Sequence, residues 1–381
     1  MAQYFCMKKT RKILQICSFL LILIASGYEN IVGQILDDSS SVRLVKEYIE
    51  YVYNFQFRES EDNVSALSAR HPGHPAIYLL KGLLVYWEDY PLISNSTGRS
   101  LFEANLRKCI EICEADSGPD NETEYLLANL CARGLLLLFY ADNDLTWDVI
   151  PLAASTYKYV RRSFDYCEEQ SDFLYFTGIY SYYREAYPEV HPVYKPVAAL
   201  FLKGDKERGL RDLKSASKTA IVMNAEATAF LSYIYLGFEN DFTEAVKYTE
   251  ILHGRYPMNE QFYCELIKNL LLAKRFDEAE HLILYDTASV YNPYTKVQIT
   301  IFRGIIQEKK YRNYLMAQSL YNEGIIKIDQ YGPYADDIES MALLGLSRIA
   351  GENGNRREEN SMRRKGMSLT TFKSDPLARQ E

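Results

Sequence analysis

Phe242-Thr243-Glu244-Ala245 recurs as Phe276-Asp277-Glu278-Ala279, with 34 residues between the phenylalanines and 34 between the alanines. Self-similarity at a fixed period of roughly 20–50 residues marks a repeat architecture, and about 34 residues suffice for a helix, a turn and a second helix.

The flanking residues supply that unit. Between Ala225 and Gly237, Ala227, Phe230, Leu231, Ile234 and Tyr235 fall at helical spacing. Asp241 is a good N-cap for a second helix carrying Phe242, Ala245, Val246, Tyr248, Thr249 and Leu252. The small Ala245 lets two antiparallel helices approach closely, and Pro257 stops the second one. The next copy begins at Asn259 and runs through Phe262, Leu266, Ile267, Leu270 and Leu271. It turns at Lys274-Arg275 into the second phrase, with Tyr291 in place of the terminal proline and Pro293 two residues later. The best repeats are therefore 226–257 and 259–293.

The register extends outward. Phe57-Arg58-Glu59-Ser60 imitates the phrase, and Pro72 again falls fifteen residues after the phenylalanine, giving a degenerate repeat over 40–72. Segments 76–87, 99–115, 122–140 and 144–168 read as helices, 122–140 as a buried core helix rather than a membrane span. Phe173–Tyr183 is helical, with Gly178 where repeats keep a small residue. Pro188, Pro192 and Pro196 then forbid a continuous helix. Gly204-Asp205 turns into a partner helix in which Gly209 occupies the place of Ala245, so 187–196 is an insertion within a repeat. After the central pair, Val297–Glu308 and the segment from Tyr314 make another unit, ended by Tyr331-Gly332-Pro333. A last pair follows from Ile338, with a polar, basic final helix suited to a capping position.

The N-terminus predicts export. Lys8, Lys9, Arg11 and Lys12 precede the apolar run Ile13–Ile24, and Ala25-Ser26-Gly27 offers a small-residue cleavage site. Met7-Lys8-Lys9 has the look of a bacterial start. The expected organisation is a signal peptide at 1–27, a linker at 28–41, a repeat domain at 42–366 and a frayed tail at 367–381. Loss of the four basic residues takes the net charge from −8 to −12. The acidic balance argues against nucleic acid as partner, which would need clustered Lys and Arg. Membrane association is expected only if residues 13–27 stay uncleaved as an inner-membrane anchor.

Five cysteines lie beyond residue 27: Cys109, Cys113, Cys131, Cys167 and Cys264. Their odd number and wide spacing make no disulfide framework, though one pair would be compatible with export. His71-Pro72-Gly73-His74-Pro75 is a turn with two histidines and too few neighbouring ligands for a metal. No nucleophile elbow, metal motif or phosphate loop appears, so the chain is expected to be no enzyme and to need no cofactor.

Taken together, the two phrases, their caps and their period resemble a tetratricopeptide-repeat protein, of the exported bacterial kind without an assigned role. The resemblance is most specific at 226–293 and weak at 75–170. The chain departs from the pattern where Ser60, Gly209 and Glu359 replace the expected alanine. The implied fold is all-α, a right-handed α-solenoid of antiparallel helix pairs. Its first helices would line a concave groove for a protein or peptide partner in the periplasm or cell envelope. By register that groove carries Asp172, Tyr175, Tyr182, Tyr183, Gln261 and Lys268, and the insertion adds Tyr187, His191, Tyr194 and Lys195. The unusual 32 tyrosines suit such a face, because the ring packs while the hydroxyl stays wet. A second expectation is glycan or small-ligand binding on Trp87, Tyr90 and the tyrosines between 180 and 194. A third, catalysis by Glu185, Glu189 and His191, lacks any supporting motif.

Overall fold

The computed structural model describes residues 34–115, 122–285, 292–370, 372 and 374–378. The expected signal peptide lies outside them. In chain order the helices are α1 Ser39–Tyr53, α2 Phe57–Arg70, α3 Pro75–Glu88, α4 Arg99–Ala115, α5 Glu122–Asp142, α6 Thr146–Ser163, α7 Phe173–Val190 and the single turn α8 Lys195–Ala198. Then come α9 Lys206–Thr219, α10 Asn224–Gly237, α11 Phe242–Arg255, α12 Glu260–Leu272, α13 Phe276–Tyr285, α14 Pro293–Lys309, α15 Tyr314–Ile328, α16 Asp336–Glu352 and α17 Arg356–Ser368. The described residues contain no strand. The long helices pack in tandem, neighbour against neighbour along the chain. The described fold is all-α, and its tandem packing is compatible with a helical repeat protein.

Short polar side chains start the helices. Asp241 accepts from the Glu244 amide at 3.0 Å, and Asn259 from Gln261 and Phe262. Asp38, Asp205, Asn292, Asn313 and Asn355 cap their helices in the same way. Each satisfies amides that have no partner within the helix.

The turn between the two helices of a unit also repeats. Phe55, Asp144, Asn240, Lys274, Arg312 and Gly354 have φ between 53° and 74°, in the left-handed region. Each stands two residues before a second helix. The next amide then reaches back to close the first helix, as Gln56 does to Tyr51 and Arg275 to Leu270. Gly354, Asn240 and Asp144 are types that adopt this region readily, whereas at Phe55, Lys274 and Arg312 tertiary packing imposes it against its local cost. Behind the turn, Ala245, Ala279 and Ala317 are fully buried where paired helices press together.

Two expectations change. Helix α7 does not stop at Tyr183 but continues through Pro188 to Val190. A proline in a last turn forfeits one backbone bond, which a helix end tolerates. The break comes at His191, whose φ of −121° and ψ of 78° obey the restriction that Pro192 places on its predecessor. The irregular segment is therefore 191–205, closed by the Asp205 amide on the Ser181 carbonyl at 3.0 Å. Residues 374–378 are not frayed: Leu377 is buried, and Asp375 pairs with Arg348 at 2.6 Å.

Residues about 200 positions apart also meet. Tyr53 packs its ring on Tyr256 and Phe262, Trp87 packs on Phe262, and Tyr90 packs on Tyr294. The Asn259 amide group donates to the Tyr53 carbonyl at 2.8 Å, the Met258 amide to Asn54 at 3.1 Å, and Arg255 pairs with Glu50. The first helices thus close against α11, α12 and α14 instead of standing at the open end of an array. At their outer side, Ile35 is buried and its amide donates to Glu124, which also faces His74 at 3.5 Å. His71 meets the Ser41 hydroxyl at 2.7 Å, so the two histidines serve packing and capping. No metal-holding cluster occurs among the described residues.

Helix α5 is long and apolar enough to cross a membrane, but 72% of that window is buried within the fold. It is a core helix here. All five cysteines are free thiols, and the Cys109 thiol faces the Ala128 carbonyl at 3.6 Å.

Candidate functional site: an aromatic recess on α7 and α10

Helices α7 and α10 each turn bulky rings toward one shared face. Tyr175 meets Phe230 edge-on at 5.8 Å between centroids, Tyr183 meets Phe230 at 5.8 Å, and Tyr183 meets Phe238 at 5.1 Å. Tyr233 completes the cluster against Phe230 and Phe238. Edge-to-face contacts of this kind hold aromatic rings in fixed orientations. Within the cluster Tyr233 is the accessible member, at 45% exposure, and Tyr187 near it is 40% exposed.

Charges surround this face. Burial raises the Tyr233 phenol above its usual range despite its exposure, and Asp337 raises it further while Lys268 and Asp142 act with opposite signs. The Tyr233 ring is thus half-exposed while its hydroxyl end is desolvated by the protein around it. Glu226 shares the same surroundings. It accepts from the Tyr53 hydroxyl, and burial pushes its carboxyl upward. Asp142, at the end of α5, is pushed to about 7 by burial alone. Its charge is felt by Tyr86, Tyr233 and Tyr334, which belong to three different parts of the chain. The Tyr183 hydroxyl is buried with no hydrogen-bond partner among the described residues, leaving one polar group unsatisfied at the aromatic face.

The structure sorts the sequence candidates. Tyr175, Tyr183 and Tyr187 belong to the recess. Asp172 does not: it is fully buried and accepts the amides of Ile221, Val222 and Met223 at 3.0, 2.6 and 2.8 Å. Its carboxylate holds the entry to α10, because three amides there would otherwise lack acceptors. Tyr182 is also fully buried, donating to Glu239 at 2.5 Å. Its neighbour Tyr183 faces the recess because one residue along a helix turns the side chain by about 100°.

Lys268 is buried at the margin, held between Glu265 at 2.8 Å and Asp337 at 3.2 Å. Burial alone would lower its pKa, yet the two carboxylates raise it, so it stays charged and already neutralised. Gln261 is half-buried in the first turn of α12. His191 caps α7 with its ring 4.5 Å from Tyr187, and Lys195 is exposed on α8. Tyr194 closes the 3-10 turn Pro192–Tyr194, and its side chain lies outside the described part.

The stacking platforms expected at Trp87 and Tyr90 are corrected outright. Both are buried in the seam with Phe262 and Tyr294, because the first helices close over them. Glu185, Glu189 and His191 form no shared site: Glu185 accepts from Gly204 and Arg184, and Glu189 pairs with Lys206. Sequence reasoning missed Tyr233, Phe238, Glu226 and Asp142. Tyr233 carried one faint signal, a large ring between the core positions Ser232 and Ile234.

Chemically, the recess offers ring faces for dispersion and cation–π contact, with Asp142 and Glu226 as acceptors nearby. Comparison of the sequence with family models and with curated proteins finds no match.

Proposed function

We propose that this protein is a non-enzymatic scaffold of the bacterial cell envelope that holds a peptide segment of a partner protein in the aromatic recess. In this reading the helix pairs are antiparallel, form a right-handed tetratricopeptide-like superhelix, and reach the envelope through the signal at 1–27. One observation carries the reading: Tyr233 stays 45% exposed at the rim of a cluster of half-buried rings, packed on Phe230 and Phe238. Rigid aromatic side chains in a partly desolvated hollow are the usual anchors of a peptide interface.

The test is a photo-crosslinking residue placed at position 233, with a second at exposed Lys247 as control. Crosslinked peptide adducts in envelope extracts are expected at 233 and not at 247. Equal labelling at both positions, or none at 233, would sink the proposal. A second reading, neutral glycan binding, is favoured by the exposed rings of Tyr187 and Tyr233 together with Asp142, whose charge acts on Tyr233. A glycan array that responds to the wild type and not to Tyr233→Ala would move the assignment there.

A further inference from the structure

A different hollow lies between the end of α6, the middle of α7, the 191–205 segment and the start of α9. It is an open cleft of about 660 Å³, lined by Lys158, Arg161, Arg162, Lys203 and Arg208 around the rings of Phe164 and Tyr180. Asp165 is the single carboxylate in that lining, although the chain as a whole carries −8. It shares no residue with the aromatic recess.

The cleft is built. The Tyr180 hydroxyl donates to the Leu202 carbonyl at 2.6 Å, and the Leu202 amide donates to the Tyr157 hydroxyl at 3.1 Å. Phe201 packs edge-on to Tyr157 at 4.8 Å. The irregular segment is thereby pinned as a wall, with Lys203 next to the anchor. Tyr180 and Phe164 meet at 6.0 Å, and the Arg208 guanidinium lies over Phe164 at 5.3 Å.

Two of the cations are already engaged, Arg162 by Glu122 and Arg208 by Asp212. Lys158, Arg161 and Lys203 have no carboxylate within salt-bridge distance among the described residues, and all three are exposed. Like charges gathered in an acidic protein repel one another, and that cost is offset when an anion sits between them. Cations from two separate elements call for more than one anionic group. The aromatic floor calls for a ring, and the volume falls in the range of sites for small molecules, about 300–1,000 Å³.

We propose that this cleft binds a sugar-sized ring carrying at least two phosphate or sulfate groups, with Lys158, Arg161 and Lys203 as the anion contacts and Tyr180 as the platform. Recognition of this kind is electrostatic and weakens with salt.

Titration calorimetry of the full chain with glucose 1,6-bisphosphate tests it. Binding is expected, weakening by about tenfold as salt rises from low to physiological strength. Glucose is expected to give no signal, and inorganic phosphate to bind about tenfold more weakly or worse. The double variant Arg161→Ser, Lys203→Ser should lose about tenfold or more in affinity, and Lys158→Glu at least as much. Because all three side chains are exposed, an unchanged melting temperature verifies folding. Four outcomes overturn the proposal: no binding of the bisphosphate, equal binding of inorganic phosphate (an adventitious ion only), binding solely to phosphatidylglycerol vesicles, or unaltered affinity in both variants.

Discussion

A Cβ added to Gly209 would lie 2.7 Å from the Gly178 carbonyl oxygen and 2.7 Å from the Tyr182 amide nitrogen. Helices α7 and α9 therefore cross closer than the alanine-mediated pairs elsewhere in the chain. Both obstacles are backbone atoms, which cannot step aside as a side chain can. Gly209→Ala is expected to destabilise the protein by about 2 kcal/mol or more, even though Ala245 is native at the matching position. Gly178→Ala should cost less, because its closest neighbour, at 2.9 Å, is the Leu213 side chain. Urea denaturation of both variants checks the order.

The recurring left-handed residue before each second helix yields the opposite kind of substitution. Lys274 and Arg312 hold φ of 61° and 54° without being glycine. Glycine at either place removes the Cβ clash at that angle, partly offset by extra freedom in the unfolded chain. Lys274→Gly and Arg312→Gly are each expected to stabilise by about 0.5 kcal/mol. An increase in the urea midpoint at unchanged slope would bear this out.

How much of this was legible in sequence divides along the same lines. Phe242 and Phe276, their caps and the small alanines are local features, and they led to tandem helices because caps and helical spacing act within one turn. The left-handed turn was half visible: Asp144, Asn240 and Gly354 are types that favour it, while Phe55, Lys274 and Arg312 carry no such mark. The recess was half visible. Tyr175 and Tyr183 followed from register, while Tyr182 and Asp172 were misplaced because rotation about a helix and the destination of three amides are tertiary facts. Burial of Trp87 was only partly legible, since beside the nearby Tyr53 and Phe55 its cover includes Phe262, 175 residues away.

Asp142 gives the fold a pH signature. Its carboxyl titrates near 7 in the folded protein against an ordinary 3.8. Folding thus disfavours the charged form, and the stability associated with this group is full below about pH 4 and lost as pH rises through 7. Asp142→Asn should flatten that slope and raise the melting temperature at pH 8 by a few degrees, about 1–2 kcal/mol after allowance for its partial exposure. Thermal melts at pH 5, 6, 7 and 8 on both proteins decide it. Parallel slopes would show that Asp142 is not the group responsible.

The C-terminal segment is held by a buried charge network. Arg348 donates to Glu308 at 2.7 and 2.8 Å and to Asp375 at 2.6 Å, while Tyr321 donates to Glu308 at 2.7 Å. Burial alone would raise the Glu308 carboxyl, yet the Arg348 hydrogen bonds and charge hold it below its usual range. Arg348→Met leaves the buried Glu308 carboxylate with only Lys309 at 3.1 Å and the Tyr321 hydroxyl, frees Asp375 as well, and should cost about 3 kcal/mol. Asp375→Ala leaves Arg348 with Glu308, so a loss of about 1–2 kcal/mol is expected, with earlier proteolysis after residue 368. Denaturation and limited digestion separate the two effects.

The seam that joins Tyr53, Asn54 and Trp87 to Tyr256, Met258 and Phe262 bears on how the chain comes apart. In an open array each unit touches only its neighbours, so unfolding can begin at an end and spread, and stability grows unit by unit. Here the first two units gain partners in the middle of the chain, and those contacts span a loop of about 200 residues whose closure costs entropy before it repays any. Such a chain cannot be shortened from its N-terminus one unit at a time without uncovering Phe262 and its surroundings. Because of that seam, the helices from α1 to α14 are expected to unfold in one cooperative transition, seen as coincident denaturation curves by different probes, and not unit by unit from one end.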